Sequence, residues 1–238
     1  MAQDKLTPVI GVDGCPAGWI AVIWGETLAH RLYPHFADIL AEDASVIAVD
    51  IPIGLPPLSG RAAERATRAV LGERQSSVFT VPARASFAAG DYRAACNINL
   101  LHSEPPRKIS KQCHGIFPKI REVDALMTPE LQRRVHEVHP EAAFWAMNGG
   151  VPVPFAKKVR SDNHRPGLDY RRQLLRDNGF PLAALPDNRY RRSDVGEDDL
   201  LDACAAAWSA RRILHGLHLE FPAQEHRDEK GLRMVIKA

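Results

Sequence analysis

Cysteine is scarce in this chain: four in 238 residues, Cys15, Cys96, Cys113 and Cys204. No two of them form a Cys-x-x-Cys pair. That argues against structural zinc and against a disulfide framework, and it suits the reducing cytoplasm. An apolar run of membrane-spanning length is missing, and the N-terminal stretch MAQDKLTPV has no secretory core, so no membrane partner is expected. A dominant charge is missing as well. Thirty-one Lys and Arg against 29 Asp and Glu leave a net charge of +2. A general polycation is therefore excluded, and any contact with DNA or RNA must rest on local basic patches. With 45% hydrophobic and 25% charged residues, the rest is the composition of a globule.

The hydrophobic pattern predicts an α/β fold. VIGVD within 8–14 reads as a buried strand, and Gly14, Pro16 and Gly18 punctuate a turn into a second strand, WIAVIW. LAHRLYP, from Leu28, supplies a third strand, and a helix follows at about 35–43. SVIAVDIPIG is the most hydrophobic stretch and reads as a central strand buried on both faces. A helix with Ser59 as N-cap and Gly72 as stop opens a more helical, irregular region at about 58–130. A fifth strand is expected around Val135 and Val138. The last long helix is expected to start near Asp194, with Asp194 and Glu197 as a capping-box-like pair. The tail suggests a turn at Gly231 and a short terminal strand. No repeat or low-complexity linker divides the chain, so residues 1–238 read as one domain with a helical insertion.

The acids stand out against this pattern. Asp13 ends the first strand, and Asp50 ends the most apolar one. A buried carboxylate is costly unless a turn hydrogen bond or a cation compensates it. Asp199 and Asp202 are i, i+3 neighbours on the last helix, where like charges repel unless a cation or a shared proton intervenes. Taken singly, Asp13 and Asp50 each have a plain reading as turn-capping residues. Together the four form a constellation suited to hard divalent cations, which take oxygen ligands.

The segments GVDGCPAGW, AVDIPIGLP, SSVFTVPAR, EVHPE and DDLLDACAAAW, in this order, resemble the DUF429 family of predicted RNase H-fold nucleases. The first-strand Asp, the fourth-strand acid and the D-x-x-D-A helix also resemble RuvC-type resolvases. The resemblance implies an RNase H-like five-stranded mixed sheet with helices on both faces, its first three strands antiparallel and its acids meeting at one edge. It carries over Asp13, Asp50, Asp199 and Asp202 as catalytic, metal-binding residues, and Glu137 in preference to Glu141 as the further acid facing the site. Members often have Asp where this chain has Glu64, which is left without a role.

A site of this kind would hold two Mg²⁺ or Mn²⁺ ions and hydrolyse phosphodiester bonds. Asp50 would bridge the ions, with Asp13 on one and Asp199 or Asp202 on the other, all converging on one cleft. Arg61, Arg65, Lys111, Lys157 and Lys158 are the candidates for cradling nucleic-acid phosphates. Arg61, Arg65 and Arg68 recur as a basic stripe, whose plainer reading is a solvated face with Glu64 paired to Arg68. His136 and His139 flank Glu137; one is a proton-shuttle candidate, against the plainer reading of packed histidines. Two other readings compete with the metal-dependent nuclease. One is a nucleotide- or phosphate-handling enzyme, disfavoured because no duplicated half is present. The other is a non-catalytic binding protein.

Overall fold

Alternation along the first strand decides how the molecule is layered. In β1 (Val9–Cys15), Ile10 and Val12 face one side of the sheet, while Val9, Gly11 and Asp13 face the other. The chain is seen in a computed structural model that describes residues 7–160 and 162–238. Residues 1–6, most of the N-terminal stretch without a secretory core, lie outside the described residues, as does residue 161.

β1 pairs antiparallel with β2 (Gly18–Trp24), and β2 with β3 (Leu28–Tyr33). After the short α1 (Phe36–Leu40), β4 (Val46–Val49) returns parallel to β1. The region between β4 and the next strand holds α2 (Ala62–Leu71), α3 (Tyr92–Leu101), α4 (Lys111–Gly115) and α5 (Phe117–Leu126). β5 (Val135–Glu137) then joins parallel to β4, completing a five-stranded mixed sheet in the order β3-β2-β1-β4-β5.

Helices cover both faces. On the Ile10–Val12 side, Trp19, Ile47, Val49 and Val135 pack with Phe36 of α1 and with Phe117, Ile120 and Val123 of α5. The other side carries α6 (Pro140–Met147), α7 (Arg165–Asp177) and the long α8 (Glu197–Leu214). Between α6 and α7 lies a small hairpin, β6 (Lys158–Val159) with β7 (Asp162–Asn163). A second hairpin pairs β8 (Glu220–Phe221) with β9 (Ile236–Lys237), after a turn at Gly231. Among the described residues no helix is long and apolar enough to cross a membrane.

α8 lies directly on β1 because the contact is made of small residues. A Cβ at Gly11 would overlap the backbone of Ala203 and Ala207, so only glycine permits this approach. Leu200, Leu201, Cys204, Ala207 and Trp208 are all buried, and burial runs all round the helix from Leu200 to Ala210.

Several boundaries differ from expectation. α2 begins at Ala62 with Arg61 as N-cap, not Ser59, because the Glu64 carboxylate accepts the Arg61 backbone N–H at 2.7 Å. α8 begins at Glu197, not near Asp194, because Asp199 Oδ2 accepts the Gly196 N–H at 2.9 Å and fixes the first turn there. α7 carries four arginines among its thirteen residues, and its buried stripe of Leu168, Arg171, Leu174 and Leu175 did not register as a helix in the hydrophobic pattern.

Candidate metal centre

The sheet register sets the first two acids. β1 and β4 run in step from Val9 opposite Val46 to Val12 opposite Val49, and the Asp50 N–H donates to the Val12 carbonyl at 3.0 Å. Asp13 and Asp50 are therefore the next pair on adjacent parallel strands, leaving the sheet on the side covered by α8. Asp202 comes from α8 itself, one residue before Ala203, whose backbone touches Gly11. Three elements thus deliver Asp13, Asp50 and Asp202 to one place.

Their charges act on one another. Burial first, then the charges of Asp50 and Asp202, push the Asp13 carboxyl well above the usual carboxylate range. Burial pushes Asp50 up to about 7 and Asp202 up to about 6, against a partial offset from Lys157 in both cases. Asp13 also has a local bond: its Oδ1 accepts the Gly14 N–H at 2.7 Å. One oxygen of Asp13 thus serves its own turn, and its carboxylate also lies within the field of Asp50. Asp199 stands at the margin, held by Gly196, with its carboxyl raised by burial.

Lys157 is the cation inside this group. Its ammonium bonds Asp202 Oδ2. Burial opposes its charge, but Asp202, Asp13 and Glu141 outweigh that and hold it protonated beyond the ordinary lysine range. The segment carrying Lys157 is pinned: the His164 N–H donates to the Lys157 carbonyl at 2.8 Å, and Arg171 Nη1 donates to the Phe155 carbonyl at 2.8 Å. Lys158, at 2.6 Å, pairs with Asp198 at the start of α8. Lys111 is exposed at the start of α4.

The two acids of the EVHPE segment are already partnered. Glu137 accepts from Arg61 at 2.5 and 2.7 Å and from the Ile53 N–H at 2.8 Å, deep in the protein. Both oxygens of Glu141 accept from one nitrogen, Nη2, of the fully buried Arg171, at 2.6 and 2.8 Å. It is Glu141, not Glu137, whose charge bears on Asp50, Asp202 and Lys157. His139 is a half-buried N-cap of α6 whose Nδ1 accepts the Glu141 N–H at 3.2 Å, and desolvation lowers its pKa. His136 lies on the opposite side of β5, in a cavity shared with Arg233 and Lys237, where burial and then Lys237 push its imidazole down to about 3.

The expected stripe of Arg61, Arg65 and Arg68 is not one surface. Arg61 precedes α2 in extended backbone, so helical spacing does not carry it onto the same face. It turns inward and is 2% exposed, bonding Glu64 as well as Glu137. Glu64 therefore pairs with Arg61 and not with Arg68, whose guanidinium donates to the Val78 carbonyl at 2.8 Å. Arg65 is exposed.

Asp202 Oδ1 is buried and has no hydrogen-bond partner among the described residues. An orphaned carboxylate oxygen beside two further aspartates is a set of hard oxygen donors short of a cation, which fits Mg²⁺ or Mn²⁺ in chemistry. As the side chains stand, no three His, Cys, Asp or Glu among the described residues are arranged to hold an ion. Several of these oxygens are already engaged: Lys157 takes Asp202 Oδ2, Gly14 takes one oxygen of Asp13, and Arg171 takes both of Glu141.

Fold and site together define an α/β protein with an RNase H-like mixed sheet and a buried acid cluster at the ends of its two central strands. The sequence profile of the family described as "Protein of unknown function (DUF429)" matches residues 11–227, and the chain belongs to that family. Neither the curated proteins nor the solved structures contain a match to it.

Proposed function

We propose that the chain is a divalent-metal-dependent hydrolase of phosphodiester bonds in DNA or RNA. The observation that carries this reading is the imbalance at the strand ends: among the described residues, Asp13, Asp50 and Asp202 crowd together with only Lys157 among them, and Asp202 Oδ1 is left unpartnered. Asp13, Asp50 and Asp202 would hold Mg²⁺ or Mn²⁺, with Asp199 at the margin. When bound, such ions supply an activated water and neutralise charge on the phosphate. Lys157 must give up Asp202 for that oxygen to be shared, so ion binding and the Lys157 contact compete. Arg171 holds Glu141, and with it the back wall of the cluster, in a fixed orientation. Four free, buried cysteines suit work in a reducing compartment, the cytoplasm.

The Lys157–Asp202 pair favours a second reading, a non-catalytic protein whose acid cluster is closed by its own lysine. Two measurements separate them. Millimolar Mn²⁺ should raise the melting temperature by binding the native state. Purified protein should cleave at least one of single-stranded, duplex or branched DNA or RNA with Mg²⁺ or Mn²⁺, and none with EDTA. An unchanged melting curve together with no cleavage would leave only the closed, non-catalytic protein.

A further inference from the structure

Beside the acid cluster, on the far side of Arg61 and Glu64, lies a cavity of about 130 Å³. Arg65, Arg68 and Arg107 line it, with the hydroxyl residues Ser59, Thr80 and Ser103. Its two acids do not balance these arginines. Glu64 gives both oxygens to Arg61, and Glu104 is exposed and in no ion pair among the described residues. The arginines bond neutral oxygens instead. Arg65 donates to the Gly60 carbonyl at 3.2 Å, and Arg68 donates to the Val78 carbonyl at 2.8 Å and to Thr80 Oγ1 at 3.1 Å. Bonds to carbonyls orient a guanidinium but leave its charge uncompensated, and of the five N–H donors each arginine carries, Arg65 uses one and Arg68 three among the described residues.

The walls are held by the fold. The Ser59 N–H donates to the His102 carbonyl at 2.8 Å and the Gly60 N–H to the Val81 carbonyl at 2.9 Å, tying the entry of α2 to two loops. The Arg107 N–H donates to Ser103 Oγ at 2.8 Å, closing the loop that presents Arg107. Arginines that pair with no carboxylate among the described residues, interleaved with hydroxyls around a small concavity, match a tetrahedral oxyanion.

We infer that this cavity is a phosphate-binding pocket, taking a phosphate group through Arg65, Arg68 and Arg107. A neighbouring cavity lined by Asp50 and Glu137 shares Arg61 and Glu64 with it, so the pocket adjoins the acid cluster. The same chemistry serves a backbone phosphate of a polynucleotide or the phosphate of a small ester. The inference stands on the cavity alone and does not require hydrolysis.

Titration calorimetry in EDTA tests it, with inorganic phosphate, thymidine 5′-phosphate and a short oligothymidylate as probes. At least one probe should bind, and Arg107→Met should weaken it about ten- to a hundredfold, the worth of hydrogen bonds to a charged group. Arg107 is exposed, so this variant should fold as the parent does; Arg68→Met is the second variant, and Arg227→Met, away from the pocket, is the control. Oligothymidylate binding alone assigns the pocket to a polynucleotide backbone. Binding of all three at similar affinity assigns it to a small phosphate ester. No probe binding at millimolar concentration, or Arg107→Met and Arg68→Met both binding like the parent, overturns the pocket. Because metal is excluded, binding that persists in a protein without metal-dependent cleavage upholds the pocket and refutes only the hydrolase.

Discussion

Replacing Asp50 by Asn should make the metal-free protein more stable at pH 8, although the side chain removed belongs to the candidate site. Burial pushes Asp50 up to about 7, against 3.8 for an ordinary Asp, with Lys157 lowering it and Glu141 raising it. Between those two values the native protein keeps a proton that the unfolded chain has released. Stability therefore falls as pH rises through about 4 to 7. Above that window, holding Asp50 ionised in the native state costs about 4 kcal/mol. The amide keeps the shape and loses the charge, but it remains a buried polar group with an unmet partner cost of about 1–2 kcal/mol. The expected net gain at pH 8 is about 2–3 kcal/mol. Urea unfolding of both proteins in EDTA at pH 5, 6.5 and 8 measures it, and the difference should shrink towards pH 5. A variant less stable than the parent at pH 8, with the same slope against pH, would show that Asp50 carries a stabilising partner and that the cluster is not short of a cation.

Three further outcomes follow from the same geometry. Lys157→Met should destabilise the metal-free protein by about 2–3 kcal/mol at pH 8, since it strands Asp202, yet enlarge the Mn²⁺-induced rise in melting temperature; a response to Mn²⁺ equal to the parent's would remove the competition. Arg61→Met strands both Glu64 and Glu137 in the interior and should cost about 3–5 kcal/mol in denaturant unfolding, so a loss below 1 kcal/mol would contradict the buried network. Asp13→Asn should leave the circular dichroism spectrum unchanged and abolish metal-dependent cleavage, whereas full activity would take Asp13 out of the site.

What could be read before folding was whatever depends on neighbours in sequence. The strands of the sheet follow from alternation and apolar runs, and the punctuation by Gly14, Gly18 and Gly25 separates them. Asp13 and Asp50 were conspicuous because each terminates a strand whose other members are buried. Their meeting is a consequence of register: once β4 runs parallel to β1 from Val9 opposite Val46, the two acids fall side by side. Helix ends were less legible, because Ser59 and Asp194 have capping chemistry in the wrong place. The side chains that cap are Glu64 and Asp199, each reaching back three residues.

The carboxylate partners of the cations were not legible, and the reason is physical. Arg61 reaches Glu137 across 76 residues, Lys157 reaches Asp202 across 45, and Arg171 reaches Glu141 across 30. Nothing local distinguishes Arg61 or Arg171 from the solvated arginines around them, since a guanidinium becomes a buried counter-ion only when folding delivers a carboxylate to it. These pairings sort the acids by function. Glu137 and Glu141 each meet an arginine that engages both of their oxygens, Arg61 with two nitrogens fork-to-fork and Arg171 with Nη2 alone. Asp202 meets a lysine, a point charge on a flexible stem, which bonds one oxygen and leaves the other bare. Arginine at the two structural acids and lysine at the cluster is thus a division between contacts that engage both oxygens and one that, under the proposed function, a metal ion would exchange. The exchangeable one lies where Asp13, Asp50 and Asp202 converge, which is why a metal ion is sought there and not at Glu137.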